Sequence, residues 1–215
     1  MTKLALAVAL FCAAYTAAAA EAGLEHIRID SSLLAIERGA DTVMTVCHGC
    51  HGLKYMRYRD LLELGLDRTK VAGWRGDLPP DAPLVSLLPD DAAMQTFGKI
   101  PPDLSLMIKA PENGADYVYS YLLGFYTTPQ GTQDNRLFPG TRMPDVLGIG
   151  GKNDAGQRAA IQHEAADVIA FLDWVADPHA AERHRLGYYT IAFLVFWTAL
   201  LYWLKREIWA GIDTG

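Results

Sequence analysis

The chain has 215 residues, with 25 acidic against 19 basic side chains and a formal net charge of −6. An acidic balance argues against a nucleic-acid partner and favours a basic one. The length suits one soluble domain plus an anchor.

The N-terminus reads as an export signal. Lys3 gives a small positive start, Leu4 to Phe11 is apolar, and Ala18-Ala19-Ala20 offers small residues for cleavage before Glu21. Removal of residues 1–20 takes Cys12 with it and brings the net charge to about −7. Cys47 and Cys50 then remain, so no structural disulfide is expected in the mature chain.

From Asp30 to Cys47 the apolar residues Leu33, Ile36, Ala40, Val43, Met44 and Cys47 recur at helical spacing, with Asp30, Ser31 or Ser32 as cap. Gly39 costs helix stability but permits a close helix–helix approach. The helix runs into Cys47-His48-Gly49-Cys50-His51. Cys-x-x-Cys-His is the attachment signal of a c-type haem: two thiols one turn apart for the porphyrin vinyl groups, then a histidine for the iron. A zinc site is the alternative, but it needs two more ligands and no second Cys/His cluster follows. A thioredoxin-like redox pair would need a βαβ setting, which the pattern does not show. Covalent haem c, with His51 as proximal ligand, is therefore the expected cofactor.

Leu53 to Leu64 reads as a second, shorter helix; Tyr55, Tyr58 and Arg59 are expected to be packing residues. Gly65 to Gly98 reads as a long loop with short helical pieces. Ile100-Pro101-Pro102-Asp103-Leu104-Ser105 is expected to open another helix, with Pro102 in its first turn. Ala115 to Tyr126 reads as an aromatic-rich helix, in which Tyr117, Tyr119, Tyr121, Leu122 and Phe125 suit a flat cofactor or an ordinary core equally well. Thr127 to Met143 is a loop ending at Arg142-Met143-Pro144. An exported haem protein needs a sixth ligand or an open iron site, and Met143, a soft thioether on a loop stiffened by Pro144, is the candidate. Met107 and Met94 compete; Met56 is too close in sequence to His51 to cross to the other haem face.

Gly148 to Gly156 is glycine-rich but lacks the Lys-Ser/Thr of a phosphate loop. His163 to Val175 is an amphipathic helix suited to cross the Leu33–Cys47 helix, with His163 solvated rather than a ligand. Leu186 to Leu204 contains no charge. About nineteen residues at ~1.5 Å each reach roughly 28 Å, close to the hydrocarbon thickness. Tyr188, Tyr189, Tyr202 and Trp203 fit interfacial belts, so a C-terminal transmembrane anchor is expected. An exported haem motif before the span puts the domain outside and the C-terminus in the cytoplasm.

These segments together resemble the cytochrome c1 family, the haem subunits of ubiquinol–cytochrome c reductase (the bc1 complex). The resemblance rests on Cys47-x-x-Cys50-His51 with Tyr55 and Tyr58-Arg59, on Pro101-Pro102-Asp103-Leu104-Ser105, and on Asp116-Tyr117-Val118-Tyr119 onward. It continues through Phe138-Pro139, Met143-Pro144, Arg185-Leu186-Gly187 and the terminal span. It implies that Met143 is the sixth ligand. The family has an arginine shortly after Pro-Pro-Asp-Leu-Ser, near a haem propionate; here Lys109-Ala110-Pro111 stands there, which leaves Lys109 or Arg142 for the role.

The expected fold class is mainly α, a c-type cytochrome fold with long loops plus one C-terminal transmembrane helix. The division is 1–20 signal peptide, 21–182 periplasmic haem domain and 183–215 anchor with a short cytoplasmic tail. By resemblance, the function is one-electron transfer from a Rieske iron–sulfur protein to a soluble cytochrome c, beside cytochrome b in the cell membrane. Quinol oxidation belongs to another subunit. A free-standing membrane-tethered electron carrier is the alternative. Asp81, Asp90 and Asp91 are candidates for docking a basic acceptor.

Overall fold

The computed structural model describes residues 23–110 and 113–210. The expected leader, its Cys12, and Pro111 lie outside these residues. In chain order the elements are α1 (Leu33–Thr45), β1 (Leu53–Arg57), α2 (Tyr58–Glu63), α3 (Arg68–Arg75), β2 (Pro83–Leu84), α4 (Asp90–Phe97), α5 (Gly114–Leu123), β3 (Phe125–Thr127), β4 (Gln133–Asn135), α6 (Ala155–Ala176) and α7 (Ala180–Ala210). Single 3-10 turns lie at Cys47–Gly49 and Ile149–Gly151. The chain is thus mainly helical, with four short strands in two antiparallel pairs among the described residues. Its contacts divide into two units, one ending at Ala176 and the other starting at Asp177.

In the first unit, α1 and α6 make the central packing. Of the three possible caps of α1, Ser32 is used: its hydroxyl accepts the Ala35 amide. Ala35, Ile36, Ala40, Val43 and Met44 form the buried stripe, while Leu33, counted in it by spacing, is 49 % exposed. α6 begins eight residues before the expected His163, with Asp154 accepting the Gln157 amide near its start. Val168, Ile169, Phe171 and Leu172 are its buried centre. Where the two helices cross, a Cβ at Gly39 would stand 1.9 Å from the Asp167 carbonyl oxygen. Beside that contact the Arg38 guanidinium donates to both oxygens of the buried Asp167 carboxylate, at 2.6 and 2.7 Å.

Gly39→Ala therefore sets two effects against each other. Alanine gains ~1 kcal/mol of helix propensity, but the obstacle is backbone, and overpacking costs about 1–3 kcal/mol. Overpacking is expected to win, because the two helices must separate. The expected outcome is a thermal midpoint lower by about 2–8 °C in the solubilised protein, read by circular dichroism.

Three expectations are corrected. Leu53 to Leu64 is not one helix: its first half is β1, paired with β2 with Leu53 opposite Leu84. Buried Leu53 and Met56, three apart, imitate a helical stripe, but the amides of Lys54 and Tyr55 are taken by side chains of Asp103 (2.9 Å) and Ser105 (3.2 Å). The helix starts only at Tyr58, where Asp60 accepts the Arg57 amide at 2.7 Å. Residues 101–105 open no helix. Two successive prolines disfavour the helical region for the residue before each, and the segment's polar groups are spent sideways on the start of β1. Besides Asp103 and Ser105, the Leu104 amide donates to the Gly52 carbonyl at 2.8 Å. The third correction is at the end of α5: Phe125 and Tyr126 leave the helix and pair with Asn135 and Asp134, so part of the expected loop is a hairpin.

In the second unit, α7 runs 31 residues. It contains the charge-free stretch 186–204 and is long and apolar enough to cross a membrane, with none of its apolar window buried.

Candidate functional site

The end of α1 turns sharply at the motif. The amides of Cys50 and His51 both donate to the Cys47 carbonyl, at 3.0 and 2.9 Å. This tight turn brings Cys47, Cys50 and His51 to the wall of one pocket of about 320 Å³. Both thiols are free. Burial, with smaller contributions from Glu164 and Cys50, pushes the Cys47 thiol up to about 11. It is therefore a thiol at neutral pH, opposite to the lowered pKa of a redox-active Cys-x-x-Cys pair.

His51 is held by the prolines. Its Nδ1 donates to the Pro102 carbonyl at 2.7 Å, which fixes the tautomer and leaves Nε2 with a lone pair. Burial holds its pKa below the ordinary value, against the Pro102 carbonyl and the Asp103 carboxylate, which raise it. The neutral imidazole is the metal-binding form. The role of Pro102 lies in its carbonyl, not in starting a helix, and neighbouring Asp103 and Ser105 hold this strut against β1. Gly52 eases that approach, since a Cβ there would crowd the Asp103 carboxylate at 2.9 Å and the Ser86 amide nitrogen at 3.3 Å. His48, inside the motif, does not line the pocket: it is 2 % exposed, and its Nε2 has no hydrogen-bond partner among the described residues.

The rest of the wall is mostly apolar. Leu104 comes from the strut, Tyr117, Val118, Tyr121 and Leu122 from α5, Val168 and Leu172 from α6, and Phe138 and Pro144 from the loop after β4. Of the aromatic residues expected to face a flat ligand, Tyr117 and Tyr121 do so; Tyr119 and Phe125 do not line it. Burial raises the Tyr121 phenol above its ordinary pKa, so it stays protonated at neutral pH.

Among the described residues, two methionines reach this pocket, Met143 and Met107. Met56 is buried in the core, and Met94 is half exposed; neither lines the pocket. The cations on the wall are Lys99, which lies over the Phe138 ring at 5.4 Å, and Arg142. Among the described residues, no carboxylate lines it. Lys109 is elsewhere, 3.6 Å from Asp173. Lys99 carried no signal in the sequence, because a single lysine beside a turn looks like any solvated charge. Tyr55, Tyr58 and Arg59 also stay off the wall: Tyr58 is buried, and Arg59 bonds Asp81 at 2.8 Å.

The donor set matches what a c-type haem requires. It offers two neighbouring thiols, an imidazole with Nδ1 engaged and Nε2 open, thioethers on the same wall, and an apolar surface for a flat macrocycle. Among the described residues, no three His, Cys, Asp or Glu side chains are grouped to hold a metal ion by themselves.

The profile of the Cytochrome C1 family matches residues 29–82 and 73–212. Cytochrome c1 of Allochromatium vinosum is 34% identical, over 99% of this chain and 100% of its own. Cytochrome b/c1 of Bradyrhizobium diazoefficiens is 32% identical over 82% of this chain, which covers 33% of that larger protein. The mitochondrial cytochrome c1, heme protein, of Saccharomyces cerevisiae is 31% identical over 84% of this chain and 68% of its own.

Proposed function

The chain belongs to the cytochrome c1 family, and from that premise we propose that it is the haem-bearing electron carrier of a ubiquinol–cytochrome c reductase. The observation that carries this reading is the convergence of Cys47, Cys50, His51 and Met143 on one apolar pocket, with His51 oriented by the Pro102 carbonyl. Haem c, bound there, supplies a one-electron iron couple. Cys47 and Cys50 would anchor it by adding their thiols across its two vinyl groups to form thioether bonds. His51 would hold the iron through Nε2, and its Nδ1 bond to the Pro102 carbonyl would keep that nitrogen basic and oriented. Met143 would hold the iron as its sixth ligand, and its thioether would favour the reduced state. With His51 and Met143 both holding the iron, oxygen and peroxide would find no free position, so the site would move electrons rather than transform a substrate.

Met143 is preferred to Met107 on one structural ground. Met107 follows closely on the Pro102–Ser105 strut that holds His51, whereas Met143 arrives on the separate loop after β4. Lys99 and Arg142, rather than Lys109, are the cations available to the haem carboxylates.

The chain takes one electron from a Rieske iron–sulfur protein and gives it to a soluble cytochrome c. Cytochrome b is its membrane partner, a reading supported by the Bradyrhizobium relative, named for both components. Residues 1–20 form the signal peptide, 21–182 the periplasmic domain, and 183–215 the anchor with a short cytoplasmic tail. Family membership across nearly the whole chain disfavours a free-standing carrier.

Purification from detergent-solubilised membranes tests this reading. The chain is expected to co-purify with a cytochrome b and an iron–sulfur protein. Isolation of a haem-loaded chain alone, under conditions that preserve membrane complexes, would favour the free-standing carrier.

A further inference from the structure

Met143 depends on its loop for its position, because residues 136–148 belong to no helix or strand. That loop is fastened at two points to a single residue of α5, Tyr121. At the near end the fully buried Asn135 donates its side-chain amide to the Tyr121 carbonyl at 2.7 Å. Its Oδ1 accepts the amides of Leu137 and Phe138 at 2.9 and 3.2 Å. At the far end the Tyr121 hydroxyl lies 2.5 Å from the Thr141 hydroxyl. The same Thr141 oxygen accepts the Met143 amide at 3.3 Å. Whichever hydroxyl donates, the threonine oxygen keeps a lone pair for the Met143 N–H. The Tyr121 ring is itself fixed, stacked on Tyr117 at 6.3 Å and edge-on to Phe125 at 5.5 Å between centroids.

We propose that the Tyr121–Thr141 hydroxyl pair is the positioning device of the sixth ligand: it ties the backbone at Met143 to α5 and so sets how firmly the thioether is presented to the pocket. This rests on the reading of Met143 as that ligand. A thioether is a weak donor, and a loop free to move gains entropy by withdrawing it. Losing one tether of this kind shifts the attached–detached balance by about two- to tenfold.

The test uses the full-length, haem-loaded protein with Tyr121→Phe, Thr141→Val, Thr141→Ser and the Phe/Val double variant. The readouts are the ferric methionine–iron charge-transfer band and carbon monoxide binding by the reduced form. Tyr121→Phe and Thr141→Val are each expected to raise the carbon monoxide-bound fraction at sub-saturating gas about two- to tenfold and to weaken the band. The double variant should go little beyond the stronger single one, since both remove the same bond. Thr141→Ser should behave as the unmodified chain. A Tyr121→Phe protein that binds carbon monoxide as the unmodified chain does overturns the proposal. So does Thr141→Ser matching Thr141→Val, which would make the role one of packing. Failure of the underlying reading shows separately, in Met143→Leu: an unchanged methionine band there overturns the ligand assignment and this proposal with it.

Discussion

Met143→Leu is expected to lower the haem midpoint potential and open the iron to external ligands while leaving the haem attached. Leucine has a similar volume and apolarity, so the pocket wall is kept. What is lost is the sulfur, the atom that favours the ferrous state. Axial ligands set haem potentials over a range of about 0.8 V, and exchanging a thioether for water or nothing should use a sizeable part of it. The ferric iron should turn high-spin and the ferrous form should bind carbon monoxide readily. Electron delivery from the iron–sulfur partner then becomes unfavourable, and turnover of the assembled complex should fall far more than its assembly. Met107 shares the pocket, which makes Met107→Leu the decisive companion: it should leave spectrum and potential near those of the unmodified chain. If the two variants exchange behaviours, the sixth ligand is Met107.

The second large effect is expected at the cysteines. Cys47→Ser with Cys50→Ser should leave no haem on the chain after denaturation, and each single variant should keep at most one thioether. The side chains sit in a tight turn whose backbone bonds, Cys50 and His51 to the Cys47 carbonyl, do not involve sulfur. Serine should therefore leave the turn intact, and the loss will be one of attachment. The pocket behind it is apolar and large, so a chain matured without haem should also lose the stabilisation that a tightly bound group confers on the folded state. A denaturing gel stained for haem reads the attachment, and the amount of chain in the membrane reads the stability. Full haem staining in the double variant would place the attachment on other residues.

Much of this site was legible before the fold was known, and the reasons are local. Cys47, Cys50 and His51 lie within five residues, so their chemistry survives as a motif. The α1 and α6 stripes follow from 3.6-residue periodicity, and Gly39 marked the crossing because only a missing side chain admits the Asp167 backbone. What stayed hidden is long-range or made by backbone. Pro102 acts through a carbonyl 51 positions from His51, and its prolines advertised a helix start instead. Leu53 and Met56 fit a helical stripe as well as a strand, and only the sideways bonds from Asp103 and Ser105 decide between them. Thr141 and Lys99 have no distinguishing neighbours in sequence; one is picked out by Tyr121, the other by the pocket wall.

A covalently held haem with His51 and Met143 both on its iron would leave no open iron position. The most direct test is the reduced spectrum of the purified, unmodified chain before and after carbon monoxide. A c-type reduced spectrum that carbon monoxide leaves essentially unchanged is expected. A colourless chain, or a haem spectrum converted fully to the carbon monoxide form, would contradict it.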